Sequence, residues 1–201
     1  HFESSDPFGN YEWSTCFSLR GFNQNRLGFT LDGIPLGDMS YGNNNGLHIS
    51  RALIAENLGS AELAEGIGAL GTASTSDLGG TVQFYSSDPQ PKYGVQFAQG
   101  FGTDAARRTF VRLDTGNVNG FAMYISGAYS TVDKWKGDGA QEQMQFNTKA
   151  TYDFGDSRIG ALVTTSDRDE TDYQDLSLDM LHRLGWNWDN YAPDWNRAVN
   201  A

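Results

Sequence analysis

A glycine pattern is the first feature of this sequence whose residue types could do chemistry. The stretch Glu65 to Gly80 reads EGIGALGTASTSDLGG, and its Gly66-x-Gly68-x-x-Gly71 has the spacing of a dinucleotide-binding loop. Such a loop needs a buried apolar strand before the first glycine and a helix after the third, so that the helix N-terminus faces the pyrophosphate. Here the carboxylates of AELAE precede the glycines, and poor helix formers follow them. The pattern therefore does not predict a nucleotide site.

The C-terminal segment combines carboxylates with aromatic side chains. Its acidic run offers oxygen ligands for a divalent cation from Asp167, Asp169, Glu170 and Asp172. The spacing and the glycine of a calcium-binding EF-hand loop are absent, so the run is expected to be a solvated outer loop with a short helix at Leu176 to Leu184. The aromatic residues either stack on a sugar or an aromatic small molecule or pack the loop onto itself; they are Trp186, Trp188, Tyr191 and Trp195.

Other kinds of chemistry find little support in the sequence. His1, His48 and His182 are scattered and Cys16 is the single cysteine, so no tetrahedral metal site is predicted. No Gly-x-Ser-x-Gly motif is present, and nothing fixes two carboxylates at the separation that a glycosidase needs. The formal net charge of −11 disfavours a phosphate backbone as a partner. We therefore expect no enzyme, no cofactor, no metal and no nucleic-acid partner.

The elements that must position these residues change character at Asp88-Pro89-Gln90-Pro91, where two prolines interrupt any strand. Before this connector the chain is rich in Gly and Asn. It predicts a small mixed α+β unit with one helix at about Ile49 to Leu58 between short strands. No apolar run approaches the roughly 18 residues of a membrane-spanning helix. Membrane spanning by β-strands stays open.

After the connector, apolar residues alternate with polar or small residues at a period of two. The alternation predicts five consecutive strands, which lie at Tyr93 to Phe101, around Val111 and Leu113, at Phe121 to Tyr129, in QEQMQFNTKATYDF (141–154), and around Ile159, Ala161 and Val163.

Two interpretations of the alternation are open. One is a soluble antiparallel sheet with one face on a core and the other in water. The other is a membrane barrel, apolar towards lipid and polar inside. Three features favour the barrel. The strands have about 10 to 14 residues, and aromatic residues lie near the strand ends. The turns at 115–120 and 154–157 are also tighter than the links at 134–140 and after 167. Five strands cannot close a barrel, since the smallest have about eight, so the remaining strands are expected beyond Ala201.

Three segments resemble the second half of the plug domain of TonB-dependent outer-membrane receptors. They are SLRGF (18–22), FTLDGIPLGD (29–38) and the glycine-rich segment that ends in LGGTVQFYSSDP (78–89), after which amphipathic strands follow at once. Residues 1–88 are thus identified as the C-terminal portion of a plug domain. Residues 89–201 are identified as the first five strands and an outer loop of a transmembrane β-barrel. The chain is expected to be a mainly β fragment of such a receptor.

The resemblance implies a transporter of the bacterial outer membrane, with a plug inside a barrel of about 22 strands. The implied ligand is a scarce nutrient, most commonly a ferric siderophore or another metal chelate. The implied partners are outer-membrane lipid and the energising protein TonB with its inner-membrane complex, which would act through a segment missing from this chain. A soluble all-β, lectin-like carbohydrate-binding module that uses the Trp-rich end is the alternative function.

The resemblance also assigns ligand binding, by position, to two apical plug loops. A cluster of amides with one aromatic suits hydrogen bonding to a polar, uncharged or weakly charged ligand, although the Asn-Gly run at 43–46 is equally typical of a turn. The outer-loop residues Trp186, Trp188, Tyr191 and Trp195 are assigned to the same ligand. The apical residues are Asn23, Gln24, Asn25, Arg26, Met39, Tyr41, Asn43, Asn44, Asn45 and His48.

A further set of residues is assigned a structural role in the plug. Asp32-Gly33 before Ile34-Pro35 predicts a turn, and the later glycines are expected to bend the backbone tightly and pack it against the barrel wall. The family usually places an Arg, part of a buried charge cluster, where Glu65 stands, and Arg20 or Arg51 could take over its role. The structural set is Arg20, Gly21, Asp32, Gly33, Pro35, Gly66, Gly68, Gly71, Gly79 and Gly80.

Overall fold

The structure, a computed structural model, describes residues 2–4, 15–37, 46–66, 71–74, 77–189 and 196. Within these ranges the chain is mainly β, as predicted. The first sheet is antiparallel and has three short strands: β1 (Phe2–Ser4), β2 (Thr15–Leu19) and β3 (Phe22–Asn23).

A four-stranded mixed sheet follows, with the strand order β5-β4-β7-β6. Strands β4 and β7 are parallel, and the other two pairs are antiparallel. Asp32 and Gly33 form the predicted turn between β4 and β5, with φ of +49° and +79°, a left-handed conformation that Asp and Gly tolerate. The strands are β4 (Gly28–Leu31), β5 (Ile34–Pro35), β6 (Leu58–Glu65) and β7 (Gly80–Ser86).

The predicted helix at Ile49 to Leu58 is wrong in length. Helix α1 covers only Ile49–Ala52, and a 3-10 turn at Ala55–Asn57 follows it. Leu53 and Ile54 between them have extended backbone, and the backbone N–H of Ile54 donates to the side chain of Asn147 instead of continuing the helix. A tertiary hydrogen bond thus overrides the local helical pattern, and Leu58 begins β6.

The hydrophobic core of this part of the chain lies between α1 and the inner strands of the four-stranded sheet. Each large apolar side chain removed from water there stabilises the fold by about 1.5–3 kcal/mol. Leu162 of the later sheet packs at the margin of the core, so the two parts of the chain are in direct contact. The buried members are Leu27, Phe29, Leu31, Leu36, Ala52, Leu53 and Phe84.

All five strands predicted after the proline connector are present, and they form one antiparallel sheet in sequence order. A two-residue turn at 155–156 joins the last two strands. The links at 102–106 and 134–139, and the chain after 170, lie at the opposite end of the sheet. The strands are β8 (Tyr93–Phe101), β9 (Arg107–Thr115), β10 (Phe121–Asp133), β11 (Ala140–Phe154) and β12 (Ser157–Glu170).

The two faces of the five-stranded sheet are inverted relative to a soluble protein. Its polar face is the covered one: Arg112, Ser126, Gln143 and Asn147 are all buried. Its apolar face is exposed and carries Tyr93, Val95, Phe97, Phe101, Val111, Leu113, Phe121, Ile125, Tyr129, Met144, Phe146, Tyr152, Phe154, Ile159 and Val163. The period of two therefore sorts the side chains as predicted, with the polar set inside.

The chain after β12 forms an ordered connection that includes helix α2 (Leu178–Leu184), close to the predicted helix. The hydroxyl of Ser177 caps the helix by accepting from the backbone N–H of Met180 at 3.2 Å. Among the residues that the structure describes, no helix is long and apolar enough to cross a membrane.

Candidate functional site

The candidate site is the polar boundary between the five-stranded sheet and the segment that covers it. This covering segment (residues 48–57) contains α1 and the 3-10 turn. It contacts the sheet mainly through hydrogen bonds and ion pairs, and a small apolar contact of Ile54 with Phe110 and Ala128 accompanies them. Such a boundary can be separated more cheaply than an apolar core, because water can replace its hydrogen bonds.

Arg112 of β9 is the central charged residue of this boundary, and only 2% of it is exposed. Its guanidinium donates two hydrogen bonds to Asp114, at 2.9 and 2.8 Å, and lies 3.9 Å from the ring centroid of Tyr124. It also donates to the hydroxyl of Ser87 at 2.7 Å and to the carbonyl of Asp88 at 2.9 Å. A buried charge is tolerable only with such pairing, so this cluster fixes one geometry of the boundary.

The same cluster fixes the link between the two parts of the chain. Asp114 accepts a hydrogen bond from the backbone N–H of Gln90 at 2.7 Å, and the carbonyl of Pro91 accepts one from the N–H of Asn117 at 3.1 Å. Arg112 also donates to the Asp88 carbonyl. Several hydrogen bonds therefore fix residues 87–91 to the end of the sheet that carries the tight turns.

Asn57 joins the covering segment to the middle of the sheet. Its Nδ2 donates to the hydroxyl of Ser126 at 2.7 Å and to Oδ1 of Asn147 at 3.1 Å. The Asn147 Oδ1 also accepts from the backbone N–H of Ile54 at 2.8 Å, and Arg112 donates to the Asn57 Oδ1 at 3.3 Å. Both asparagines are fully buried, so each of these polar groups depends on the others for hydrogen bonding.

Ser50 marks the other end of the covering segment. Its backbone carbonyl accepts hydrogen bonds from the side-chain amides of Gln143 and Gln145, both at 2.9 Å. Its hydroxyl accepts from Arg168 at 3.0 Å and lies 2.8 Å from Nδ1 of His48. The contacts therefore follow β11 in order: Ser50 bonds to Gln143 and Gln145, Asn57 bonds to Asn147, and Ser86 bonds to Lys149.

Two carboxylates outside the strands of the five-stranded sheet form ion pairs with it. Glu56 accepts two hydrogen bonds from Arg108, at 2.8 and 2.7 Å. Burial acts to raise the pKa of Glu56, but the hydrogen bonds and charge of Arg108 outweigh it, so the pKa lies below its ordinary value of 4.5. Asp88 pairs with Lys149 at 2.9 Å and Arg158 at 2.7 Å, and these cations likewise outweigh burial and lower its pKa.

A cavity of about 680 Å³ lies between the β4–β5 turn and the inner face of β12. Its walls are mostly apolar, with Ile34 and Leu36 on one side and Leu162 on the other, and Lys149 and Asp32 add charged groups. Unlike the densely hydrogen-bonded contact with β9 to β11, the boundary with β12 therefore encloses open space.

An aromatic cluster lies at the loop end of the sheet. Trp135 and Tyr173 stack with ring centroids 6.3 Å apart, and Lys136 lies 5.4 Å from the ring of Trp186, which is 76% exposed. The buried ammonium of Lys134 beneath them pairs with Asp189 and donates to the carbonyl of Asp172 at 2.7 Å. Further contacts join the same segments: Lys134 lies 4.4 Å from the Tyr173 ring, and the N–H of Gln174 donates to Asp189 at 2.9 Å.

The apical residues predicted from the sequence fall in two separate elements. Asn23 ends β3, and Gln24–Arg26 form a 3-10 turn in which Gln24 is buried. Arg26 is tied to Gly79, whose N–H donates to its carbonyl at 3.0 Å, at the end of β4 and β7 opposite to Ser86. His48 is buried and caps α1 by accepting from the N–H of Ser50. Outside the described residues lie Met39, Tyr41, Asn43, Asn44, Asn45, Tyr191, Trp195 and Gly68.

The glycines that were predicted to bend the backbone and to pack it closely differ in their surroundings. Gly79 makes a close contact, since a Cβ there would lie 2.6 Å from Leu27 and 2.7 Å from Phe22, which belong to its own part of the chain and not to the five-stranded sheet. Gly66 and Gly71 have positive φ, as the predicted bends require, and among the described residues no atom lies within 4 Å of a Cβ placed on either. Positive φ also recurs at Gly80 and at the Arg20-Gly21 turn between β2 and β3.

Glu65 pairs with Arg20, one of the two arginines proposed to compensate for it. This pair is solvent-exposed, however, with 63% of the Arg20 side chain accessible, so it is not the buried charge cluster that the resemblance implies. The buried cluster is built instead around Arg112, on the sheet side of the boundary.

The acidic run is also corrected. Strand β12 continues to Glu170, so Asp167 and Asp169 belong to a strand and the connecting segment begins at Thr171. Glu170 pairs with Arg168 at 2.5 Å. Within the described ranges, no group of three or more His, Cys, Asp or Glu side chains is arranged to hold a metal ion.

Comparison with known proteins defines the fold. Neither a protein-family model nor a curated protein matches the sequence. Among solved structures, the pyoverdine outer membrane receptor FpvA from Pseudomonas aeruginosa PAO1, bound to pyoverdine, aligns with 83% of this chain at a TM-score of 0.64 and 16% identity. The siderophore receptor PiuA from Acinetobacter baumannii (16% identity) and the ferric yersiniabactin uptake receptor FyuA from Yersinia pestis (18%) also align with 83% of it, both at a TM-score of 0.60.

The fold is that of TonB-dependent siderophore receptors. The resemblance stated from the sequence is thereby confirmed at the level of the fold. The chain covers 23% of the FpvA chain, 22% of PiuA and 27% of FyuA, so it spans about a quarter of their length. FpvA is described as an outer membrane receptor, PiuA as a siderophore receptor and FyuA as an uptake receptor.

Several residues important to the receptor fold were missed as site residues by the sequence analysis. Arg112 and Asp114 appear in the sequence only as the polar side of one strand, and Asn57 appears only as a residue of a predicted helix. One signal for Arg112 was available in the sequence. It is a charged residue at an inward position of a sheet face whose uncharged residues are mostly small or polar. Trp135 and Tyr173 gave none, because their stacking joins segments 38 positions apart in the chain.

Proposed function

We propose that this chain is part of a TonB-dependent receptor that transports a ferric siderophore or another metal chelate across the bacterial outer membrane. Residues 1–88 form the C-terminal portion of its plug, and residues 89–201 form the first five barrel strands and an outer loop. The remaining strands and the segment that TonB pulls belong to sequence outside these 201 residues. Ferripyoverdine and ferric yersiniabactin, which are named for two of the neighbours, belong to the class of ferric chelates proposed here.

The observation that carries this proposal is the inverted five-stranded sheet. Its exposed face presents a continuous apolar surface over all five strands, with aromatic residues towards the strand ends, such as Tyr93, Phe101 and Phe154. A soluble sheet would cover that face and expose the polar one. A membrane barrel turns its apolar face to lipid and its polar face to the lumen.

What covers the polar face supports the same function. The covering segment occupies the side that becomes the lumen in a closed barrel, and it is held there by hydrogen bonds and ion pairs. A plug that must rearrange in each transport cycle benefits from such contacts, because each polar group can pair with water when it separates. The lectin-like alternative gains no support, since it requires the apolar face to be the buried one.

We assign ligand capture to the loop end of the sheet. The 3-10 turn at Gln24–Arg26 lies at the end of β4 and β7 opposite to Ser86, and His48 precedes the Ser50 contact near the same end of β11. The aromatic cluster belongs to the connections at that end. The predicted apical residues and the outer-loop Trp residues are therefore proposed to face one ligand from two sides.

Transport by the intact receptor tests the proposal. A strain that lacks the gene is compared with one that carries it, for growth and ⁵⁵Fe uptake on a panel of ferric chelates, with and without TonB. We expect TonB-dependent uptake of at least one chelate and recovery of the protein in the outer membrane, with detergent needed to solubilise it. Recovery as a water-soluble protein, or identical uptake with and without the gene, contradicts the proposal.

A further inference from the structure

Gln141 is the first of four side-chain amides that β11 presents to the covered face of the sheet. These four, which we call the amide stripe, are Gln141, Gln143, Gln145 and Asn147, and all are buried. Alternate residues of a strand point to the same side, at intervals of about 7 Å, so the stripe runs from the loop end of β11 towards its middle.

Three members of the amide stripe hold the covering segment. Asn147 accepts from the N–H of Ile54 and from Asn57. Gln145 and Gln143 both donate to the carbonyl of Ser50, and Gln143 also donates to the hydroxyl of Ser166 at 3.0 Å. The covering segment thus uses three members of the stripe, and its contacts with them extend as far as Ser50.

Gln141 differs from the other three. Only 3% of it is exposed, and within the described part of the chain neither its Oε1 nor its Nε2 has a hydrogen-bond partner. Buried amides almost always have partners, because an unpaired polar group in a protein interior carries a desolvation penalty. An amide with both ends unpaired therefore points to a group that joins it in another state of the protein.

The surroundings of Gln141 define what that group can be. The side chain lines a cavity of about 10 Å³ together with Ser130, Thr131 and Arg168, which is room for about one polar atom. Arg168 is already paired with Glu170 and donates to Ser50, and Glu142 also lines the cavity, so an anionic group is not favoured there. A carboxamide both donates and accepts, and its best partner in such a place is a neutral group that does the same.

We propose that Gln141 is a ligand-contact residue on the inner wall, which binds a hydroxyl, amide or hydroxamate group of the transported chelate. The inference rests on the proposed function, because it takes β11 as barrel wall and its loop end as the side of ligand entry. Three amides of the stripe hold the covering segment, and the fourth, one step nearer the entry side, is available to the ligand.

Stability of the intact receptor in detergent gives a test that needs no ligand. Gln141→Leu replaces an unpaired buried amide by an apolar group of similar size, so its Tm should equal or exceed that of the wild type. The matched variant Gln143→Leu removes two hydrogen bonds and should lower the Tm. A fall in Tm for Gln141→Leu as large as that for Gln143→Leu would show an ordinary structural amide and overturn the inference.

Uptake of ⁵⁵Fe bound to desferrioxamine B, a chelator built from hydroxamates and amides, tests the ligand contact. We expect Gln141→Leu to raise the KM about tenfold with an unchanged maximal rate. An unchanged KM overturns the inference, and so does a wild-type receptor that transports another ferric chelate but not this one; both results leave the proposed function standing. A wild-type receptor that transports no ferric chelate contradicts the proposed function itself.

Discussion

The side chain of Asn57 donates a hydrogen bond to the side chain of Asn147 across the boundary between the covering segment and the five-stranded sheet, and Nδ2 of Asn57 lies 3.1 Å from Oδ1 of Asn147. They are 90 residues apart in the chain, and both are completely buried. The pair is the central point of a network that also includes Ser126, Arg112 and the backbone of Ile54. The strength of this network sets how readily the covering segment can separate from the sheet.

Loss of the Asn57 side chain should therefore weaken the boundary. Asn57→Ala removes hydrogen bonds to three buried partners, and we expect a loss of about 1–3 kcal/mol in unfolding free energy. Urea unfolding of the intact receptor in detergent measures it. Asn187→Ala, at an exposed position, is the control and should change stability by less than about 0.5 kcal/mol. In a double-mutant cycle with Asn147→Ala, exact additivity of the two effects would contradict direct coupling.

Removal of Arg112 should be more damaging, because it leaves the buried carboxylate of Asp114 without its cation. We expect Arg112→Met to cost about 3–5 kcal/mol, seen as a loss of the heat-modifiable folded band on gel electrophoresis. The double variant Arg112→Met with Asp114→Leu removes both charges and should recover much of this loss. Arg183→Met is the surface control, since that arginine pairs with Asp179 at an exposed site. A double variant as unstable as the single one would argue against charge pairing as the cause.

Acid should weaken the contact between Glu56 and Arg108. The pKa of Glu56 in the folded protein lies below its ordinary 4.5, so the pair contributes stability that is fully present above about pH 4.5. That contribution is lost as the pH falls through the folded-state pKa. Because the pair is partly exposed, we expect it to be worth about 1 kcal/mol or less.

The unfolding free energy measured from pH 7 to pH 3 checks this dependence. Glu56→Gln should flatten part of the decline below pH 4.5, whereas Glu62→Gln, at an exposed site, should follow the wild type. The remaining decline includes Asp88, whose pKa is also lowered. Identical profiles for wild type and Glu56→Gln would exclude a contribution from this pair.

A positive charge on the exposed face of the sheet distinguishes lipid from water as its surroundings. Ile125 lies at an outward position in the middle of β10, and Ile125→Arg should cost about 2–4 kcal/mol in a bilayer. Ile159→Arg, near the turn end of β12, should cost about 0–1 kcal/mol because the penalty falls towards the interface. Folding in lipid vesicles provides the measurement, and equal, small costs at both sites would indicate that the face is in water.

The outer connection should depend on the ion pair of Lys134 with Asp189. Lys134→Met leaves the buried carboxylate of Asp189 without the ammonium that pairs with it, and we expect the segment 171–189 to detach and become sensitive to added protease on intact cells. Lys136→Met changes a lysine two positions away that lies over an exposed ring, so it should leave protease sensitivity unchanged. Equal resistance of the Lys134→Met variant would show that other contacts hold the segment.

The sequence was sufficient to predict the five later strands. A strand with two different faces has a residue pattern that repeats every two positions, and this pattern can be seen within the strand itself. The sequence was sufficient for the Asp32-Gly33 turn for the same reason. It failed for the helix at Ile49 to Leu58, since the hydrogen bond that ends α1 comes from Asn147. The roles of Arg112 and Asn57, and the pairing of Arg20 with Glu65, likewise depend on segments that are distant in the chain and carry no periodic signal.

The connector at residues 87–91 has a mechanical consequence. It is fastened to the end of β9 through the Asp88 carbonyl and the Gln90 N–H, and Lys149 and Arg158 hold the Asp88 carboxylate. A tensile load applied from the N-terminal side therefore reaches this anchorage last. The elements ahead of it, from β2 to β7, must yield first, and the parallel pair β4–β7 resists in shear if its strands are pulled along their length. In the proposed receptor the connector is thus a fixed point, so a pull from the N-terminal side deforms the preceding part of the chain before it reaches the five-stranded sheet.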